Sequence, residues 1–167
     1  PGQGVDRIAD LLIENGTVAG VEGRIEPPDG ARVIDASRLV VCPGFIDLHC
    51  HLREPGFEHK ETVATGTRAA AAGGFTTVCA MPNTDPVMDS RSIVEFVLRK
   101  GREEGAVRVL TIGAVTKGSR GAELAEMGEL SDAGVVGFSD DGHPVADPNI
   151  MRHALSYSLM TGLPIIN

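Results

Sequence analysis

The sequence is poor in several features, and each shortage excludes a class of protein. It has no run of about 18 apolar residues, which a membrane-spanning helix needs, so no membrane span is predicted. It has no basic run, and its formal net charge is −8, so nucleic acid is a poor partner. Three cysteines without a CxxC pair (Cys42, Cys50 and Cys79) favour reduced thiols in a cytoplasmic protein.

The order of predicted elements divides the chain into two parts. Residues 1–43 contain short apolar segments, two of which flank an Asn15-Gly16 hairpin turn, and are expected to form a small β domain. In residues 44–167, short apolar strands alternate with helices. The strands are predicted at 45–51, 75–82, 107–115, 135–140 and 163–167, and the helices at 60–73, 90–105, 122–134 and 148–162.

Strands that alternate with helices of this length indicate βαβ units, an α/β fold and a parallel sheet. Two architectures compete, an open doubly wound sheet and a (β/α)8 TIM-like barrel. No GxGxxG loop follows the first strand, which counts against a dinucleotide-binding sheet. Polar residues instead gather at the carboxyl ends of predicted strands, where a barrel builds its active site. Because a closed barrel needs about 250 residues, we expect residues 44–167 to be the first half of one, within a longer polypeptide.

The strongest chemical signal is the pair of histidines in "FIDLHCHLR". Alternate side chains of a strand share a face, so Asp47, His49, His51 and Arg53 are expected to point one way and Cys50 the other. Two histidines on one face can bind a single metal ion, whereas the alternative is a hydrogen-bonded pair at a strand end. The pattern favours a metal, with Cys50 as a packing residue.

A catalytic zinc site needs at least a third protein ligand. The best remaining donor is the Asp140-Asp141 pair at the end of the fourth predicted strand, where an Asx-type turn in "DDGHP" is the alternative interpretation. The other histidines are expected to be loop or surface residues: His59, His143 and His153.

Arg53 and Asn83 suit an anion better than a metal. A guanidinium and an amide at the ends of neighbouring strands could hold a substrate carboxylate. The alternative for Arg53 is a structural ion pair with Glu54 or Glu61.

Three longer segments carry a family resemblance. "GFIDLHCHLREPG", "ATGTRAAAAGGFTTVCAMPNTDP" and "GFSDDG" resemble the class I dihydroorotases of the amidohydrolase superfamily, and the similarity runs from Val41 to the end of the chain. The β-layer before it is similar to the N-terminal part of that family's composite β-sandwich. The resemblance implies a zinc-dependent barrel enzyme, a hydrolase that interconverts N-carbamoyl-L-aspartate and L-dihydroorotate in pyrimidine biosynthesis.

The resemblance also implies roles for single residues. His49, His51 and Asp140 correspond to metal ligands for one or two zinc ions, and Arg53 and Asn83 to residues that bind the substrate carboxylate. Two further histidine ligands and the catalytic aspartate of the family would lie beyond Asn167. The family further implies a homo-oligomer or a complex with aspartate carbamoyltransferase.

Two related enzyme types are the main alternatives. Hydantoinases and allantoinases share the paired histidines, but hydantoinases generally present a carboxylated lysine where this chain has Ser139, and they lack an arginine at position 53. These two differences favour dihydroorotase. A further alternative is an inactive dihydroorotase-like assembly subunit.

Overall fold

The computed structural model describes residue 4 and residues 6–167. The chain divides into two compact units, and the division falls between Cys42 and Pro43. The first unit holds a two-stranded antiparallel sheet, and the second holds a parallel sheet with helices. Among the described residues, no helix is both long and apolar enough to cross a membrane.

A β-hairpin is the regular structure of the first unit. β1 (Asp10–Glu14) pairs with β2 (Thr17–Glu22) through a turn formed by Asn15 and Gly16. Both turn residues have positive φ, 51° and 75°, which a type I′ hairpin turn requires and Asn-Gly readily adopts. The predicted hairpin is therefore confirmed.

The further strands expected before residue 44 do not form. Residues 31–44 contain no strand, and the side chains of Val33, Ile34 and Val40 are 71–91% exposed. A strand needs a partner for its backbone groups, and one hairpin offers little surface on which others can pack. The small β domain over 1–43 stays a prediction, and residues 1–3 and 5 of it lie outside the described residues.

The second unit alternates strands and helices, which confirms the mixed α/β fold. Its elements are β3 (Phe45–Cys50), α1 (Val63–Ala72), β4 (Phe75–Ala80), α2 (Arg91–Glu104), β5 (Arg108–Thr111), α3 (Met127–Ala133) and α4 (Pro148–Thr161).

Its strands are parallel and neighbour one another in chain order. β3 pairs with β4, and β4 pairs with β5. The strands predicted at 135–140 and 163–167 are reduced to isolated parallel bridges. Phe138 pairs with Gly113 on one side and with Ile165 on the other. The helices pack in the same order, α1 against α2, α2 against α3 and α3 against α4. The sheet therefore progresses in one direction across five segments, without the reversal of a doubly wound sheet.

Capping residues fix where two of the helices begin. Thr62 and Thr65 form a capping box at α1, each side chain accepting a hydrogen bond from the other's backbone N–H (3.0–3.1 Å). At α4, the Asp147 carboxylate accepts from Asn149 N–H at 2.8 Å, and Pro148 occupies the first helical position.

Helix α3 begins later than predicted, at Met127 rather than near residue 122. The residues before it are extended, because Leu124 forms an antiparallel bridge with Thr116. The backbone groups that would form a first helical turn are used in this bridge, which the local sequence does not reveal.

Both faces of the parallel sheet are apolar. Val78 and Ala80 of β4 belong to the main core under the helices, whereas Cys79 and Met81 belong to a second cluster. Since alternate residues of a strand point to opposite faces, the second cluster lies on the face away from the helices. Ile46, which pairs with Thr77 on that face, is 59% exposed. The helices thus cover one face fully, and the other is only partly covered.

Gly101 of α2 provides a test of the helix–strand packing. A Cβ added there would lie 2.7 Å from the Cβ of Val109 in β5, a separation that real Cβ atoms essentially never show. Helix propensity alone favours alanine by about 1 kcal/mol, but overpacking of this kind costs about 1–3 kcal/mol. The net effect of these two figures is a loss, so we expect Gly101→Ala to lower the free energy of unfolding, measured with urea, by up to about 2 kcal/mol. Gly142→Ala, which meets nothing within 4 Å, is the control. A stabilised Gly101→Ala protein would contradict the packing.

Candidate metal centre at the carboxyl ends of the strands

Three metal-binding side chains lie together at the carboxyl edge of the parallel sheet. Ligand atoms of His49, His51 and Asp141 all lie within 4.8 Å of one another, and the described residues contain no second such group. His49 Nε2 is 2.9 Å from Asp141 Oδ1, and His51 Nδ1 is 3.9 Å from Asp141 Oδ2. Two imidazoles and a carboxylate form a donor set that suits zinc.

The register of β3 sets which of its side chains belong to this group. Asp47 pairs with Val78 and Cys50 with Ala80, so both lie over residues that face the helices. A register shift between Asp47 and Cys50 breaks the strict alternation of the strand. The expected placement of Asp47 beside the imidazoles is therefore wrong. Its carboxylate instead accepts a hydrogen bond from His49 N–H at 3.0 Å.

Cys50 packs against the main core, as predicted. Burial raises the pKa of its thiol to about 12, and the nearby Asp47 and Cys79 add to the effect. Because thiolate is the form that binds metals, a thiol held neutral in this way suits packing rather than ligation.

The two adjacent aspartates have different surroundings, and Asp141 replaces Asp140 as the aspartate beside the histidines. The Asp140 side chain is buried, and its Oδ1 accepts hydrogen bonds from Val115 N–H (2.8 Å) and Thr116 N–H (3.0 Å). Its Oδ2 accepts from the Thr116 hydroxyl. These donors tie Asp140 to the loop after β5, so its carboxylate has no oxygen directed at the histidines in this structure.

Asp141 reaches the histidines through a turn of the backbone. It has φ of 54°, a left-handed conformation that aspartate adopts more readily than most residues, and its N–H donates to Ser139 Oγ at 3.0 Å. The backbone turn at "DDGHP" thus directs the Asp141 carboxylate toward His49 and Asn83. The Asx-type turn considered from the sequence is not the role of either aspartate side chain, because the oxygens of Asp140 accept from Val115 and Thr116.

Asn83 lies within the same group of side chains. Its Nδ2 donates to Asp141 Oδ2 at 2.6 Å and contacts His51 Nδ1, whereas its buried Oδ1 has no partner among the described residues. The structure thus brings the predicted Asn83 to the site, with its Oδ1 buried and without a hydrogen-bond partner among the described residues.

Arg53 follows the histidines but makes no ion pair with any described residue. The two partners considered from the sequence are engaged elsewhere: Glu54 with Lys100, and Glu61 with the hydroxyl of Thr65. The three remaining histidines, at positions 59, 143 and 153, are exposed and lie outside the group.

Comparison with known proteins places this geometry in a family. A sequence profile described as dihydro-orotase-like matches residues 37–161. The chain belongs to the dihydro-orotase-like family. It is 48% identical over its whole length to a dihydroorotase of Geobacter metallireducens and 55% identical over 99% of its length to one of Anaeromyxobacter dehalogenans. These alignments cover 39% and 38% of the relatives, so the chain spans about two fifths of their length. The resemblance seen in the sequence is confirmed.

Solved structures of amidohydrolases share the fold. L-hydantoinase (dihydropyrimidinase) from Arthrobacter aurescens matches 94% of this chain and 36% of its own, with a TM-score of 0.81 and 23% identity. A dihydroorotase crystal structure matches the same share of this chain and 44% of its own, with a TM-score of 0.61 and 16% identity.

The contrast between Asp140 and Asp141 can be tested by truncating each in turn. Asp140→Ala would leave buried donors without an acceptor, so we expect it to reduce the free energy of unfolding by about 3 kcal/mol. Asp141→Ala should cost less than about 1 kcal/mol, because its side chain is partly exposed, but should weaken zinc binding at least tenfold. Urea unfolding and zinc titration calorimetry measure the two effects. Equal destabilisation, or loss of zinc only in the Asp140 variant, would contradict the assignment.

Proposed function

We propose that this chain forms the metal-binding part of a dihydroorotase, which interconverts N-carbamoyl-L-aspartate and L-dihydroorotate. The observation that carries the proposal is that His49, His51 and Asp141 lie together, next to Asn83, at one edge of the parallel sheet. The chain that forms this sheet belongs to the dihydro-orotase-like family. The pyrimidine pathway, the cytoplasmic location and a partner such as aspartate carbamoyltransferase or a second copy stay predictions.

The strand order supports the proposed (β/α)8 barrel. In a doubly wound sheet the strand order reverses at one point, whereas a barrel adds each strand to the same side of the last. Here five segments follow in chain order with consecutive helices packed together. The apolar, partly exposed second face is the surface that a closed barrel would fill with side chains.

The proposed cofactor is zinc, one or two ions, held by His49, His51 and Asp141. The donor set fits, since imidazole and carboxylate are ordinary zinc ligands and three protein ligands are the usual minimum at a catalytic site. When bound, zinc supplies Lewis-acid activation of water and of an amide carbonyl.

The remaining residues would bind and orient the substrate. The Arg53 guanidinium has no partner among the described residues, so it is available to form a charge-assisted pair with a substrate carboxylate. Asn83, whose Nδ2 donates to the Asp141 carboxylate, lies beside the candidate metal centre, where its amide could also donate to the substrate carboxylate. Such contacts would fix the scissile amide beside the metal-binding group. The family resemblance assigns proton transfer to an aspartate outside these residues.

A hydantoinase-type activity is the second candidate, because hydantoinases share the paired histidines found here at positions 49 and 51. Two residues favour dihydroorotase instead. Ser139 occupies the position at which hydantoinases generally present a lysine, and Arg53 suits a substrate that carries a carboxylate.

A chimeric enzyme tests the activity. In the chimera, this chain replaces the matching segment of the Anaeromyxobacter dehalogenans dihydroorotase, to which it is 55% identical. We expect the chimera to hydrolyse dihydroorotate and to contain zinc by elemental analysis. His49→Ala should remove at least about 90% of both, because it deletes a ligand, whereas His143→Ala should retain both. A folded, zinc-free or inactive chimera would contradict the proposal and favour an assembly role.

Substrate preference tests the role of Arg53. In the chimera, Arg53→Ala should raise KM for dihydroorotate about 10–100-fold, the loss expected for a hydrogen-bonded charge. Turnover of dihydrouracil, a cyclic amide without the carboxylate, should change less than about threefold. Arg102→Ala, which removes an exposed arginine of α2, is the matched control. Equal losses on both substrates would refute carboxylate binding by Arg53.

A further inference from the structure

The residue after Arg53 is a buried glutamate with both carboxylate oxygens in use. Glu54 is 7% exposed. Its Oε2 accepts a hydrogen bond from Val63 N–H at 2.9 Å, and its Oε1 lies 3.1 Å from Lys100 Nζ. One side chain therefore connects the segment after β3 to the start of α1 and to the middle of α2.

Both contacts compensate a charge that would otherwise be costly to bury. Val63 N–H is one of the donors at a helix start that have no partner within the helix, and a carboxylate is favoured there. Lys100 also pairs with Glu104, and the hydrogen bonds that its ammonium group donates to Glu104 and Glu54 raise the pKa of that group. Lys100 thus remains charged at neutral pH and holds Glu54 in one position.

This pair differs from the other ion pairs that the structure describes. The side chains of Glu54 and Lys100 are 9% and 20% exposed. Those of the Lys117–Glu123 pair are 46% and 69% exposed. Exposed pairs contribute little, but breaking a buried pair leaves an uncompensated charge. Loss of either partner should therefore move the Glu54 segment.

Arg53 lies between two fixed neighbours. Leu52 on one side is 4% exposed in the core, and Glu54 on the other is held as described. Arg53 itself has φ of 63°, the left-handed region that residues other than glycine adopt only when their surroundings hold them there. The direction of its guanidinium therefore depends on its anchored neighbours rather than on the pleat of β3.

We propose that Glu54 and Lys100 are positioning residues, which hold Arg53 in the conformation that binds the substrate carboxylate. This inference rests on the proposed function, since it takes the role of Arg53 from there. It adds that α2, through Lys100, helps to set the enzyme's affinity for a carboxylate-bearing substrate.

A double-mutant cycle in the chimera tests the inference. Lys100→Met should raise KM for dihydroorotate about tenfold, with kcat changed less than about twofold and zinc retained. In the Arg53→Ala background the same change should have less than about a twofold effect, because Lys100 acts through Arg53. Lys100→Arg keeps the charge and should restore KM to within about threefold of the parent. Lys117→Met, which removes an exposed pair, should leave KM unchanged.

Two results would overturn the inference. One is a double variant whose KM rises by the product of the two single increases. That result would mean that Lys100→Met acts independently of Arg53, for example through a general loss of stability. The other comes from crystal structures of the chimera and its Lys100→Met or Glu54→Gln variant, in which an unchanged Arg53 backbone and guanidinium would exclude positioning. The crystal structures need no enzyme activity. They therefore still test whether Lys100 and Glu54 position Arg53, even if the parent chimera is inactive and the proposed function is refuted.

Discussion

Parallel pairing of strands in chain order is the constraint on which the site depends. Because the strands run in one direction, their carboxyl ends meet at one edge of the sheet, and residues distant in sequence become neighbours there. Asn83 and Asp141 are 58 positions apart in the chain but share a 2.6 Å hydrogen bond. No local segment could create this contact. It exists because β3, β4 and the Phe138 segment each hold a fixed place in the sheet.

Fixed backbone donors distinguish the two carboxylates that hold the structure, those of Glu54 and Asp140, from the one beside the histidines, that of Asp141. Glu54 and Asp140 are 7% and 3% exposed, and each accepts hydrogen bonds on both oxygens from fixed donors. Any exogenous ligand would have to displace those donors and leave them unpaired, which is costly inside a protein. Asp141 faces groups that can themselves bind a metal, His49 and His51. Two adjacent aspartates therefore have different surroundings, because different groups face them: Val115 N–H and Thr116 face Asp140, and the histidines and Asn83 face Asp141.

The sequence predicts the parts of this structure that depend on local pattern. Alternating apolar strands and helices indicate the parallel sheet, and two histidines separated by one residue indicate the metal-binding strand. Local pattern could not predict which of Asp140 and Asp141 lies beside the histidines. That choice depends on the hydrogen bonds that Thr116, in another loop, donates to Asp140. The side of the sheet taken by Asp47 depends on a register shift against β4, which likewise has no signature in the sequence of β3 itself.

The three residues of the candidate metal centre differ in their exposure to solvent. The side chains of Asp141, His51 and His49 are 14%, 32% and 54% exposed, so the group opens to solvent on the side of His49. The adjacent Asp140 is buried and accepts hydrogen bonds from Val115 N–H and Thr116 N–H. The most exposed member, His49, belongs to β3, the strand that precedes Arg53. Among the described residues the Arg53 guanidinium has no ion-pair partner, so the exposed end of the group and this charge belong to one continuous segment of the chain.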